Sequence, residues 1–178
     1  MSTPHRLDPE SVVAHLPALY RAARAWTGSR DEAEDLVQDV CAHVLAKPRR
    51  VEGDDLHYLL RALHNELTSR RRSVGRRPET VELHDDLDPA GGASGPSGRG
   101  ADPQAAAENA ELVAAIAGLP NEFRDALVAV DVAGLSYREA AQLLDLPEGT
   151  VTSRLYRARD RLARRLAESD DQAAERAQ

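Results

Sequence analysis

Residues 90–100, AGGASGPSGRG, contain almost no side chain able to bury apolar surface. A segment of that composition cannot offset the entropy of ordering itself, so it is expected to stay flexible and to split the chain in two. The 178 residues therefore divide into two small units rather than one large core. A unit of roughly 60 residues buries only about 60% of the surface its unfolded chain exposes, so each is marginal alone and a partner that holds both is plausible.

Both units read as helical, with strand signals nearly absent. Asp8-Pro9 or the Leu16-Pro17 step opens a first helix carrying Leu16, Leu19, Tyr20 and Ala23 at helical spacing, and Gly28 ends it. Ser29 with Glu32 forms a capping box for a second helix whose stripe is Leu36, Val37, Val40 and Val44. A third begins after Gly53-Asp54-Asp55, carries Leu56, Leu59, Leu60, Leu63 and Leu67, and runs into Arg70-Arg71-Arg72. Residues 8–72 make the first domain and 73–107 a flexible acidic linker containing Asp85, Asp86 and Asp88.

The second domain spans 108–167, before a frayed tail at 168–178. Asp102-Pro103 starts its first helix, with Leu112, Val113 and Ile116 as the apolar face. Asn121 caps the next, which carries Phe123, Leu127, Val128 and Val130 and closes at Gly134. Ser136-Tyr137-Arg138-Glu139 is a further capping box for a short helix ending near Leu144. A tight step at Asp145–Glu148 leads to a long last helix. The fold class is thus all-α: two small helical domains joined by a linker.

A short capped helix, a tight turn and a longer helix make the helix-turn-helix pattern. In the longer helix Val151, Leu155, Ala158 and Leu162 form the buried stripe. Thr150, Thr152, Ser153, Arg154, Arg157 and Arg161 are left facing outward. The overall charge is −7, yet residues 152–166 hold six arginines against Asp160 alone, a local +5. Small hydroxyl residues at a helix start approach phosphates and base edges closely, and arginines a turn later can reach guanine edges bidentately. These features point to DNA reading.

At this point the run GLSYREAAQLLDLPEGTVTSRLYRARDRL resembles region 4 of the extracytoplasmic-function sigma factors. LPALYRAARAWTGSRDEAEDLVQDVCAHVLAK resembles their regions 2.1–2.2, and residues 56–72 their regions 2.3–2.4. The resemblance covers roughly 16–72 and 108–166. It implies an alternative sigma factor that binds core RNA polymerase, directs it to promoters and assists melting.

Residue by residue, the resemblance implies that Asp31, Glu34, Asp35, Leu36, Gln38 and Asp39 dock on the polymerase clamp helices. Arg61, His64 and Asn65 would meet the minus-ten element, with Arg70, Arg71 and Arg72 on the phosphates of the opened strand. For the minus-thirty-five element the implied residues are Glu148, Gly149, Thr150, Thr152, Ser153, Arg154, Tyr156, Arg157 and Arg161. The acidic linker would pass toward the basic RNA exit region of the polymerase, and an anti-sigma partner is common in the family.

Other features read more plainly. Cys41 alone excludes an intramolecular disulfide and any cysteine-based zinc site, and is read as a buried small hydrophobe. His57 and His64 share a helix face but lack acids or cysteines to complete a metal site, so both are read as surface or groove histidines. There is no apolar run of about 18 residues and no signal-peptide core, so no membrane insertion is expected and a reducing cytoplasm fits. No Gly-rich phosphate loop or nucleophile–base spacing appears, so neither an enzyme nor a cofactor is expected. The rival classes are an operator-binding repressor or activator, which would bind DNA tightly by itself, and a pure interaction module, which would leave Arg154 and Arg157 free of DNA.

Overall fold

In the computed structural model the described residues are 4–46, 50–74 and 103–176, and they are almost entirely helical. The glycine-rich segment, and with it Asp85, Asp86 and Asp88, lies outside them. Helix α1 runs Pro9–Thr27. The Asp8 carboxylate caps it by accepting from the Ser11 amide at 2.7 Å, and Pro9 occupies the first turn, where its missing N–H costs nothing. The helix passes through Pro17 rather than starting there. Gly28 closes it at φ +77°, donating to the Arg24 carbonyl.

Helix α2 (Arg30–Ala46) buries Leu36, Val37, Val40 and Val44 as its spacing predicts, and the Ser29 hydroxyl accepts from the Glu32 amide at 3.4 Å. Helix α3 spans Asp55–Val74, with Leu59, Leu60, Leu63 and Leu67 in the core and Leu56 half-buried. A two-stranded antiparallel ribbon also joins β1 (His5–Arg6) to β2 (Arg50–Val51). The sequence reading contains no strand there, because pairs of two residues carry no alternation to detect. The ribbon brings Leu7 and Val51 into the core, so this unit starts before residue 8.

The second unit begins with α4 (Pro103–Ala117), which buries Ala115 and Ile116 and leaves Leu112 exposed, contrary to the expected face. Helix α5 (Asn121–Leu127) has Pro120, not Asn121, at its N-cap, and no side chain caps it. It continues into a π-helical turn, Val128–Val132, where the Ala133 amide reaches the Val128 carbonyl. Helix α6 (Tyr137–Leu144) has the full capping box: the Glu139 amide donates to Ser136 Oγ and the Glu139 carboxylate accepts from the Ser136 amide at 2.8 Å. Asp145, left-handed at φ 55°, turns the chain into α7, Glu148–Arg176. That helix continues well past the expected end near residue 167, so 168–176 is helical rather than a frayed tail.

The two units touch. Helix α1 packs on α4, α5 and the π turn, α3 packs on α6, and the buried apolar residues of both units form one continuous cluster. The close approach of α1 and α4 depends on Gly28, since a Cβ there would lie 2.5 Å from the Cβ of Ala117.

Candidate nucleic-acid interface

Helix α7 is anchored by Val151, Leu155 and Ala158, each at most 1% exposed, with Leu162 half-buried beyond them. That stripe fixes which residues turn outward. Glu148, Gly149, Thr152, Ser153, Tyr156 and Arg157 are exposed, and Thr150 is half-buried at the first turn. Tyr156 is the most open of the large hydrophobic side chains, at 74%.

The arginines of α7 divide by partner. Arg154 does not stand free: it is half-buried, with Nη2 3.7 Å from the Glu122 carboxylate. Arg159 makes a two-pronged pair with Asp131, at 3.0 and 2.6 Å, and Arg164 pairs with Asp160 at 2.7 Å. Arg161 lies over the Phe123 ring, its guanidinium carbon 4.5 Å from the centroid, and Arg165 points back to the end of α4. Arg157 is exposed with no ion-pair partner among the described residues. The local +5 of the sequence is therefore partly neutralised by acids of α5 and the π turn.

In the first unit α3 carries the expected minus-ten residues. Asn65 and Arg61 are exposed and line a groove of about 630 Å³ between α2 and α3, with Asp39, His43, Tyr58 and Glu66. Arg70 donates to Glu66 at 3.2 Å and, more closely, to Asp39 of α2. Arg72 is exposed.

His64 corrects the expectation most sharply. It is only 9% exposed, its ring tilted against Trp26 at 5.5 Å between centroids, with Nε2 3.5 Å from Asp125 of the second unit. No DNA base reaches it in this arrangement. Arg71 is likewise engaged, Nη1 donating to both Asp125 oxygens at 3.0 and 3.1 Å. Burial alone would raise the Asp125 carboxyl, but the His64 contact and the Arg71 charge outweigh it and hold the group below its ordinary value. Its neighbour Arg124 donates to the Trp26 carbonyl at 2.7 Å and to carbonyls of Ala117 and Leu119. Burial, then the nearby Arg71 charge, pulls the Arg124 guanidinium down. Arg124 and Asp125 escape sequence reading, because nothing in their spacing marks them apart from other charged helix positions.

The acidic face of α2 is as expected, with Asp31, Glu34, Asp35, Gln38 and Asp39 all exposed. Leu36 is not part of that face. At 0% exposure it belongs to the core, so it supports that face from below. Cys41 is half-buried, and burial pushes its thiol up. Among the described residues no three His, Cys, Asp or Glu side chains group as metal ligands, and no helix is long and apolar enough to cross a membrane.

These two helical units define a class that pairs an acidic helix and an α2–α3 groove with a helix-turn-helix. Known proteins give the same pairing. Residues 12–77 match the Sigma-70 region 2 family and residues 109–162 match Sigma-70, region 4. The ECF RNA polymerase sigma factor SigE of Mycolicibacterium smegmatis is 34% identical over 94% of this chain, which spans 65% of that relative's length. SigM of Mycobacterium tuberculosis, another ECF RNA polymerase sigma factor, is 37% identical over 85% of this chain and 73% of its own. The sigma factor RpoE of Bartonella quintana, in complex with the anti-sigma factor NepR, superposes with a TM-score of 0.70. It is 28% identical, over 89% of this chain and 95% of that one.

The chain belongs to the ECF RNA polymerase sigma factor family. Proteins of this class are not enzymes. They are alternative sigma factors that bring core RNA polymerase to promoter DNA.

Proposed function

We propose that the chain divides promoter recognition between its units in the following way. The α2 face of Asp31, Glu34, Asp35, Gln38 and Asp39 docks on the polymerase clamp helices, with Leu36 holding the helix in register. The α2–α3 groove, with Asn65 and Arg61, receives an unstacked base of the minus-ten strand, while Arg70, Arg71 and Arg72 run along its phosphates and so assist melting. The start of α7 reads the minus-thirty-five element through Thr152, Ser153, Tyr156 and Arg157, with Glu148, Gly149 and Thr150 close to the backbone. Arg154 and Arg161 are second to Arg157, because Glu122 and Phe123 already hold them.

The observation that carries this reading is the outward face of α7. Its buried stripe leaves small hydroxyls, an open tyrosine and an unpaired arginine side by side at the start of the helix. The acidic linker takes the RNA exit path, and the protein works in the cytoplasm, where its polymerase is. A regulator of the anti-sigma class, which binds the Bartonella quintana relative, fits this chain too.

Run-off transcription with core polymerase and genomic DNA fragments tests the proposal. New start sites that require both the chain and Arg157 support it. Transcripts indifferent to Arg157→Ala would refute the assignment of α7. Tight specific DNA binding by the free chain would instead mark an operator-binding regulator.

A further inference from the structure

The two units meet through a polar knot, and its members are the same groups that the function needs elsewhere. Asp125 of α5 accepts two hydrogen bonds from Arg71 and lies against His64, both from α3. His64 is buried at the junction, and the Arg71 and Asp125 side chains are half-buried beside it, at 23% and 16% exposure. Arg124, one residue before, reaches across to the Trp26 carbonyl in the last turn of α1, where Arg71 also donates at 3.4 Å. Carbonyls at a helix C-terminus lack partners within the helix and attract cations, so this end of α1 is a natural seat for two guanidinium groups. Around the knot, His57 of α3 faces Glu139 of α6 at 3.4 Å, and Ala117 nests against Gly28.

A carboxylate and a phosphate offer arginine the same pair of oxygen acceptors. Asp125 therefore sits on Arg71 where a backbone phosphate of the opened strand would sit. The two cannot occupy Arg71 together, and the second unit covers His64 while the knot is closed.

We infer that Asp125 acts as an internal phosphate mimic, clasping the second unit onto α3 and blocking single-stranded DNA until the chain opens. This rests on the proposed role of Arg71 at the minus-ten strand. It goes further in giving Asp125 and Arg124 a regulatory task that no DNA-reading role requires. A buried ion pair gains little net energy over its solvation yet leaves an uncompensated charge when one partner is lost, so displacing Asp125 from Arg71 weakens a junction that the shared apolar cluster otherwise supports. Docking of α2 on polymerase, by pulling the units apart, would expose Arg71 at the moment it is needed. The free chain then binds DNA only through the fraction that is open, and its apparent affinity falls by that fraction.

The test uses the full chain. Small-angle scattering measures its compactness, and fluorescence anisotropy measures its binding to a short, mixed-sequence, single-stranded oligonucleotide. Asp125→Ala should expand the chain and tighten oligonucleotide binding on the order of tenfold, within the usual range of such couplings. Glu111→Ala, which removes the same charge from an exposed site on α4 away from the knot, should do neither. The double variant Asp125→Arg with Arg71→Asp should restore the compact form that Asp125→Arg alone loses. Arg71→Gln gives a second route: it should expand the chain even if every Asp125 variant fails to fold, as judged by circular dichroism. A wild-type chain that is already extended, or an Asp125→Ala chain unchanged in both readouts, would overturn the clasp. Run-off transcription by the wild type reports separately on the sigma-factor roles, so either idea can fail without the other.

Discussion

The basic end of α3 and the polar start of α7 both read in sequence as DNA-contacting surfaces, yet the fold treats them oppositely. On α3, Arg70 is committed to Glu66 and Asp39, and Arg71 to Asp125. On α7, the residues nearest the helix start remain open, and the acids of α5 and the π turn restrain only Arg154 and Arg159. Counting charges along a helix therefore does not measure the field it offers. What decides is whether acids from other elements reach those cations, and Asp125 lies 54 residues from Arg71 in sequence. A surface whose cations are paired internally must be released before it binds. One built from hydroxyls and an arginine without an ion pair among the described residues needs no such release.

The largest test of this contrast removes the support of α7. Leu155 is 1% exposed between α7 and the rest of the second unit. Leu155→Ala should cost about 2–5 kcal/mol, read as a lower urea midpoint. Because the buried residues of both units form one cluster, a single cooperative transition should shift as a whole. Two separated transitions, with only one displaced, would show that the units are independent and that the contrast is between two proteins in one chain.

Next in size is the open surface itself. Arg157→Ala should weaken recognition of the minus-thirty-five element by about 1–3 kcal/mol, roughly five- to 150-fold in promoter competition assays. Arg159→Ala, which first breaks a bond to Asp131, should change recognition far less. Equal losses would mean that internal pairing does not ration the arginines.

A smaller effect tests the entry to the reading helix. Ser136 and Glu139 cap α6 reciprocally. Ser136→Ala should lower stability by about 1 kcal/mol, measured as a change in urea midpoint at constant slope.

Much of this was legible in the residues. The stripes of α2, α3 and α7, the Gly28 stop and the Ser136 box all arise from local periodicity or local hydrogen bonds, and local rules find them. The misreadings share another cause. Leu112 sits at a helical spacing that suits burial yet is 39% exposed among the described residues, and Asn121 has capping chemistry but follows Pro120, which takes the cap position. His64 looked like a groove histidine because nothing in the sequence connects residues 26, 64 and 125, which only the tertiary packing brings together. The acidic residues of α2 and the basic residues of α3 were visible as residue types; the internal pairing of Arg70 and Arg71 was not.

The smallest effect at neutral pH, and the sharpest on the comparison, concerns acid. The Asp125 carboxyl is held below its ordinary value near 3.8, so its contribution to stability is complete above that value and disappears as pH falls through the lower folded value. Asp55 is held down as well, because its bonds with Ser11 and His5 outweigh the effect of burial, and it too should weaken the first unit in acid. That loss is common to the wild type and to Asp125→Asn, so it cancels in their difference. The stability difference between the two chains should therefore begin to shrink at about pH 5 and keep falling as the pH drops through the lower folded value. Urea midpoints taken along that series measure it. A difference that stays level through the acid range would mean that folding leaves the Asp125 carboxyl at its ordinary value, and Arg71 would then have to be held by something other than that charge.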